Sequence, residues 1–208
     1  MKNFFAISMV LLTGASSNGL FAQGCMDSGS NDGVALKGFV QPQYNYNFME
    51  EDADGNDQDE NSFYFNRARL GVLGSIPYDF SYYFFVEASP FKNQSGTPHL
   101  LDAFVTYSRL APYAKISIGQ FKSPMSQEQN TSCSGLYTVN RSAVVTQLAG
   151  PQRDLGLMIA GGNDTTLLSY SIAVMNGSGM GVTDDTKGKD FVGRLLVQPF
   201  EMIRAGGS

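Results

Sequence analysis

The chain has 208 residues, 42% of them hydrophobic and 16% charged, with a formal net charge of -5. One ordinary domain fits that length, and an acidic balance without a basic stripe, finger spacing or basic helix gives nucleic acid nothing to dock on. The 23 glycines and 12% aromatic content suit turn-rich β structure that faces something less polar than water.

The first residues have the form of an export signal. Lys2 gives a short positive start, Phe4 to Leu12 is apolar but too short to span a bilayer, and small residues come next. Cleavage is expected after Ala22, so residues 1–22 read as a signal peptide and 23–208 as the mature chain. A lipoprotein would be cut before Cys25, but Ala22, Gln23 and Gly24 fit a lipobox poorly. Beyond the signal no run of about 18 apolar residues occurs, so no membrane-spanning helix is expected. An exported chain can then enter a second membrane only as a closed barrel. Cys25 and Cys133 could form a disulfide in that compartment, but two cysteines are too few for a framework.

Period-two alternation dominates the mature chain. Val34, Leu36, Gly38, Val40, Tyr44, Tyr46 and Phe48 share one face of a strand, with Lys37, Gln41, Gln43, Asn45 and Asn47 on the other. Its aromatic residues cluster at one end, where an interfacial girdle places rings with polar tips. Next, Ala68, Leu70 and Val72 oppose Arg67, Arg69 and Gly71; Phe80, Tyr82, Phe84 and Val86 oppose Ser81, Tyr83 and Glu87. Leu101, Ala103, Val105 and Tyr107 oppose Asp102, Phe104 and Thr106; Ile116 and Ile118 oppose Lys115, Ser117 and Gly119. Leu155, Leu157 and Ile159 oppose Gly156 and Met158, and Leu168, Tyr170, Ile172 and Val174 oppose Ser169, Ser171 and Ala173. In the stretch Phe191 to Val197, Arg194 lies opposite Leu195 and Val197. The charges gather on the polar faces. An Arg or Lys facing lipid near the bilayer midplane costs roughly 2–4 kcal/mol, which is a physical reason for that segregation.

A soluble β-sandwich also alternates, so the connections decide. They run long (49–62), tight (77–79), longer (90–98), tight (111–113), very long (123–153), tight (162–164), long (176–190), and tight again from Pro199. Outer-membrane barrels sort their connections in this way, with short periplasmic turns and long external loops. The fold class is therefore all-β: an antiparallel transmembrane β-barrel of about eight strands, with Met202-Ile203-Arg204 starting a ninth. A terminal strand ending in an aromatic residue is missing, so the chain reads as the N-terminal part of a larger barrel. The choice matters, because eight strands enclose packed side chains whereas sixteen leave a channel.

Five motifs then point to one family. Asn66-Arg67-Ala68-Arg69-Leu70-Gly71 resembles the second-strand motif of the phosphate-selective porin O and P family, and Leu101-Asp102-Ala103-Phe104-Val105 resembles its next. The run Ile118-Gly119-Gln120-Phe121-Lys122-Ser123-Pro124-Met125-Ser126-Gln127-Glu128 is similar to the most distinctive motif. Asn140-Arg141-Ser142 and Pro151-Gln152-Arg153-Asp154-Leu155-Gly156 follow in order. The resemblance covers about residues 34 to 200. It implies a homotrimeric 16-stranded channel in the outer membrane of a Gram-negative bacterium, in contact with lipid and lipopolysaccharide, with the C-terminal strands absent here. It also implies that the long fifth connection folds inward and narrows the pore. Phosphate-selecting members line the pore with many cations, whereas this chain has 14 Lys and Arg in all. The expected function is passive diffusion of small polar or anionic solutes, with phosphate one candidate.

Five cations are candidates for the pore. Arg67 and Arg69 share a wet face and could form a rung of an anion path, or be satisfied by acids such as Glu87 and Asp102. Lys122, Arg141 and Arg153 lie in or beside the fifth connection. They could set the field of a constriction, or pin that connection to the wall through Asp154 and Glu128; an Arg fork suits phosphate and carboxylate alike. The acidic run Glu50, Glu51, Asp52, Asp54, Asp57, Asp59 and Glu60 departs from calcium-loop spacing and reads as a solvated outer loop. No catalytic residue, metal site or cofactor is expected. His99 is the one histidine and has no evident partner for nucleophilic chemistry. Two rivals remain: a complete small barrel with a structural or adhesive surface and no open pore, and a barrel hydrolase built on His99.

Overall fold

A computed structural model describes residues 34–47, 60–76, 79–89, 99–149, 152–163, 165–184, 187–200 and 202–208. The expected signal peptide, Cys25, Phe48, the connection at 90–98 and nearly all of the acidic run lie outside them; of Glu60 only the backbone is described. The strands are β1 (Val34–Asn47), β2 (Glu60–Ile76), β3 (Phe80–Glu87), β4 (His99–Tyr107), β5 (Lys115–Lys122), β6 (Arg153–Gly161), β7 (Leu168–Met175), β8 (Asp190–Phe200) and β9 (Ile203–Gly207). They form one sheet in chain order, β1 to β9, and every described register is antiparallel. This is the all-β meander expected from the alternation, with the anticipated ninth strand present. Among the described residues, β1 and β9 do not pair with each other.

The chain divides into two compact units. In the first, built from 37–70 and 86–99, the alternation holds: Val40 and Leu70 are exposed, while Arg67 and Glu87 are buried. Tyr44 packs on Phe63 with ring centroids 4.7 Å apart.

The second unit includes 71–85 and 100–208 and carries β4 to β9. Its register lines up whole rows across the sheet. Val105, Ile118, Leu157, Val174 and Phe191 stand side by side, and of these Ile118 is 62% and Phe191 79% exposed. One residue along, on the opposite face, the row Thr106, Ser117, Met158, Ala173 and Val192 is buried or half-buried; Ser117 and Ala173 are wholly so. Apolar residues therefore face out and polar or small ones face in, the reverse of a water-soluble sheet. In the described residues no helix is long and apolar enough to cross a membrane.

Two glycines make these pairings possible. Phe85, itself buried, lies directly over Gly71, where a Cβ would come within 1.8 Å of the ring. Gly119 has φ 132°, and a Cβ there would come within 2.2 Å of the Ala103 carbonyl. Glycine adopts that backbone without a side-chain clash.

Three features differ from the sequence reading. Leu101 is 2% exposed rather than on the open apolar face. At that end of the β4–β5 pair the Gln120 amide folds back to donate to the Leu100 and Leu101 carbonyls at 2.9 and 2.8 Å. The inward face is also less wet than expected, because Phe121, Met158, Ala160, Ala173 and Met175 form a buried cluster there with Phe104 and Val192 against it. Alternation fixes which face a side chain takes, not whether that face meets water or another layer. Finally, the fifth connection is not a plain loop. It holds α1 (Gln127–Asn130), a 3-10 turn (Cys133–Gly135) and α2 (Ala143–Leu148).

An outward apolar face gives a direct expectation. Ile118→Arg should lower stability toward urea in lipid vesicles by about 2–4 kcal/mol if the side chain lies near midplane. Ser171→Arg, on the opposite face, should cost much less. Equal losses would mean that the exposed row does not meet lipid.

Candidate functional site

The segment 123–152 between β5 and β6 is built by its own polar side chains. Asn130, buried in the last position of α1, donates its amide to three carbonyls: Ser123 at 3.3 Å, Met125 at 3.1 Å and Ser126 at 2.9 Å. It thereby holds the start of the segment, where Ser126 has φ 61° and ψ 141°, a conformation that non-glycine residues rarely take. Such a residue persists only where its surroundings over-determine it.

Arg141 closes the segment upon itself. Its guanidinium donates to the Glu128 carbonyl at 3.2 Å, the Gln129 carbonyl at 3.2 Å and the Thr131 carbonyl at 2.8 Å, and approaches the Cys133 thiol at 3.6 Å. Carbonyls in and just after a four-residue helix have few partners of their own, and the planar donor fork of arginine can serve several at once. Ser142 then caps α2 by accepting from Val145 N–H at 3.3 Å, and its hydroxyl donates to the Glu128 carboxylate at 2.9 Å. Hydrogen bonds from the Ser142 backbone N–H and then its hydroxyl hold the Glu128 carboxyl below the usual carboxylate range. The folded value is the lower one. The clamp is therefore complete above the ordinary carboxylate pKa and fades as pH falls through the lowered value.

Two charged pairs fix strands to one another. Arg153 Nε and Nη2 reach the two oxygens of Asp102 at 2.9 and 3.1 Å, a bidentate bridge buried on both sides. Arg69 Nε meets Glu87 Oε2 at 2.7 Å, and Glu87 also accepts from Ala68 N–H and Ser89 Oγ. Arg67 donates to Gln41 Oε1 at 2.6 Å. Lys122, buried at the end of β5, points to the Thr131 carbonyl at 3.5 Å.

The cations keep some of their expected partners and exchange others. Arg69 takes Glu87 as its acid, Asp102 pairs with Arg153, and the contacts of Arg67 include the Gln41 amide oxygen. Asp154 does not pin Arg153. Its carboxylate accepts from Leu155 N–H at 2.7 Å and from Gly177 N–H, and so holds the start of the 176–190 connection. Arg141 uses the backbone carbonyl of Glu128, not its carboxylate. The structure brings Lys122, Arg141 and Arg153 to one end of the β5–β6 pair, at the segment between those strands. Arg67 and Arg69 lie in the first unit.

A residue outside the five stands on the inward face. Lys115, Ala160, Ser171 and Arg194 form one row across β5 to β8. Arg194 donates to Gln127 Oε1 of α1, so the segment reaches the strand wall at this cation. Arg204 lies within electrostatic reach of it, and among the described residues no carboxylate pairs with Arg194. The alternation already placed Arg194 on the polar face; what sequence could not give is the seat of Gln127 upon it. Among the described residues no group of three His, Cys, Asp or Glu could hold a metal.

Asp102→Ala should destabilise the protein by about 3–5 kcal/mol, because it leaves Arg153 buried without its carboxylate. Urea unfolding in detergent or lipid measures this. A loss under about 1 kcal/mol would show that Arg153 is solvated in its place.

No curated protein and no solved structure matches the chain. The family model described as phosphate-selective porin O and P matches residues 37–203, a family of channels rather than of enzymes. That span is most of the chain and takes in all five motifs and the segment 123–152, so the chain belongs to the phosphate-selective porin O and P family.

Proposed function

We propose that the protein is a wall of an outer-membrane channel of a Gram-negative bacterium, through which small polar or anionic solutes, phosphate among them, diffuse passively. The observation that carries this reading is the reversed sheet: apolar rows exposed on one face, with polar, small and charged residues on the other. Membership of a porin family supports the same reading. A trimeric assembly and contact with lipid and lipopolysaccharide belong to the proposal, as do the export signal at 1–22 and the absence of catalysis.

Within it, the cations divide by partner. Arg69 and Arg153 are offset by buried carboxylates, Arg141 is enclosed by carbonyls, and Arg67 donates to the Gln41 amide oxygen among its contacts. These four stiffen the wall and the segment 123–152, and they bias passing ions only through their summed field. Arg194 has no carboxylate in direct contact among the described residues and supplies the local field that favours anions, whereas Lys122 is buried against the Thr131 carbonyl. Few such groups make a weak preference. That suits a chain with a net charge of -5 better than a strict phosphate filter does.

Single-channel recording in a planar bilayer under a salt gradient tests the proposal. The expected result is discrete openings, a reversal potential modestly on the anion side, and a loss of that preference in Arg194→Gln. Openings without anion preference would keep the channel and discard the cation assignment. Folded protein that never opens would discard the channel in favour of a packed barrel with a surface role.

A further inference from the structure

One contact crosses from the segment to the strand wall at the cation the channel would use. Gln127 is the first residue of α1, and its exposed side chain lays an amide oxygen on the Arg194 guanidinium. We propose that Gln127 is a tethered competitor: its amide occupies Arg194 in the empty channel, and a phosphate-like oxyanion must displace it to bind. This rests on the reading that Arg194 lies in the solute path.

Three observations carry it. First, the occupant is neutral. The Arg194 guanidinium meets only a dipole in the amide, whereas an oxyanion brings a full opposite charge to the same donors, so an oxyanion exchanges favourably with Gln127. Second, a stronger occupant sits next in sequence and is engaged elsewhere. The Glu128 carboxylate is held by the Ser142 hydroxyl at 2.9 Å and by its N–H. Had Glu128 reached Arg194, an ion pair would have closed the site. Third, the amide can leave without moving its helix. Gln129 and Asn130 of the same turn are buried, Asn130 ties α1 to three carbonyls of residues 123–126, and Arg141 ties its end. Gln127 alone of these is exposed, so a rotamer change suffices to release Arg194. The nearby Arg204 adds positive charge that an entering anion relieves and an amide does not.

The test is block of chloride current by inorganic phosphate in planar bilayers, for the unaltered protein, Gln127→Ala, Arg194→Gln and the double variant. Removing one neutral competitor should lower the phosphate concentration for half-block by roughly 2- to 10-fold in Gln127→Ala. Gln127→Glu should raise it, since a tethered carboxylate is the harder one to displace. In the Arg194→Gln background the Gln127→Ala shift should vanish. Phosphate block that Gln127→Ala changes by less than about 2-fold, or the same shift with and without Arg194, would overturn the competitor while leaving the channel intact. No openings, or openings that phosphate never blocks in the unaltered protein, would overturn the solute-path reading and the competitor with it.

Discussion

Backbone hydrogen bonding is the constraint on which the rest depends. A chain that turns Ile118, Leu157 and Phe191 outward can sit in hydrocarbon only if the peptide groups behind them find partners inside the protein. The antiparallel ladder from β4 to β9 supplies those partners strand by strand. Its pleat then fixes every side chain on one face or the other, since a slip of one residue would exchange the faces. Gly119 and Gly71 belong to the same logic, for they let neighbouring backbone and the Phe85 ring come close enough to keep strands in register.

Once the faces are fixed, inward-facing charge has to be satisfied by the protein or by the solute. Most of it is satisfied by the protein. Asp102 holds Arg153, Glu87 holds Arg69, and carbonyls of 128, 129 and 131 hold Arg141. These bonds also make the 123–152 segment a small folded unit with Asn130 at its root and Gln127 at its tip. The cation that meets that tip, Arg194, is left with an amide. In the proposed channel, stability and solute contact are thus divided among residues of the same type, according to the partner each one has.

Much of this is legible in the amino-acid sequence. Period-two alternation places β1 to β8 and puts Arg67, Arg69 and Arg194 on the polar face, because a strand has only two faces. The alternating connection lengths separate a membrane barrel from a sandwich. What stays hidden depends on contacts across long sequence gaps. Asp102 and Arg153 are 51 residues apart and Gln127 and Arg194 are 67 apart, and nothing in local patterning pairs them. The short helices of 123–152 escape for a related reason. Four and six residues carry too little periodicity to register, and their hold comes from Asn130, Arg141 and Ser142 rather than from propensity. Leu101 breaks the pattern at the strand end where the Gln120 amide donates to the Leu100 and Leu101 carbonyls, a contact that alternation cannot express.

The central claim is that one face of this sheet meets lipid and the other does not. Cysteine placed in turn at residues 168 to 172 of β7, with Cys25 and Cys133 changed to serine, would carry a fluorophore through both faces. Quenching by brominated lipid in reconstituted vesicles should be strong at Leu168, Tyr170 and Ile172 and weak at Ser169 and Ser171. Quenching that is uniform along the strand, or strongest at the two serines, would contradict the account.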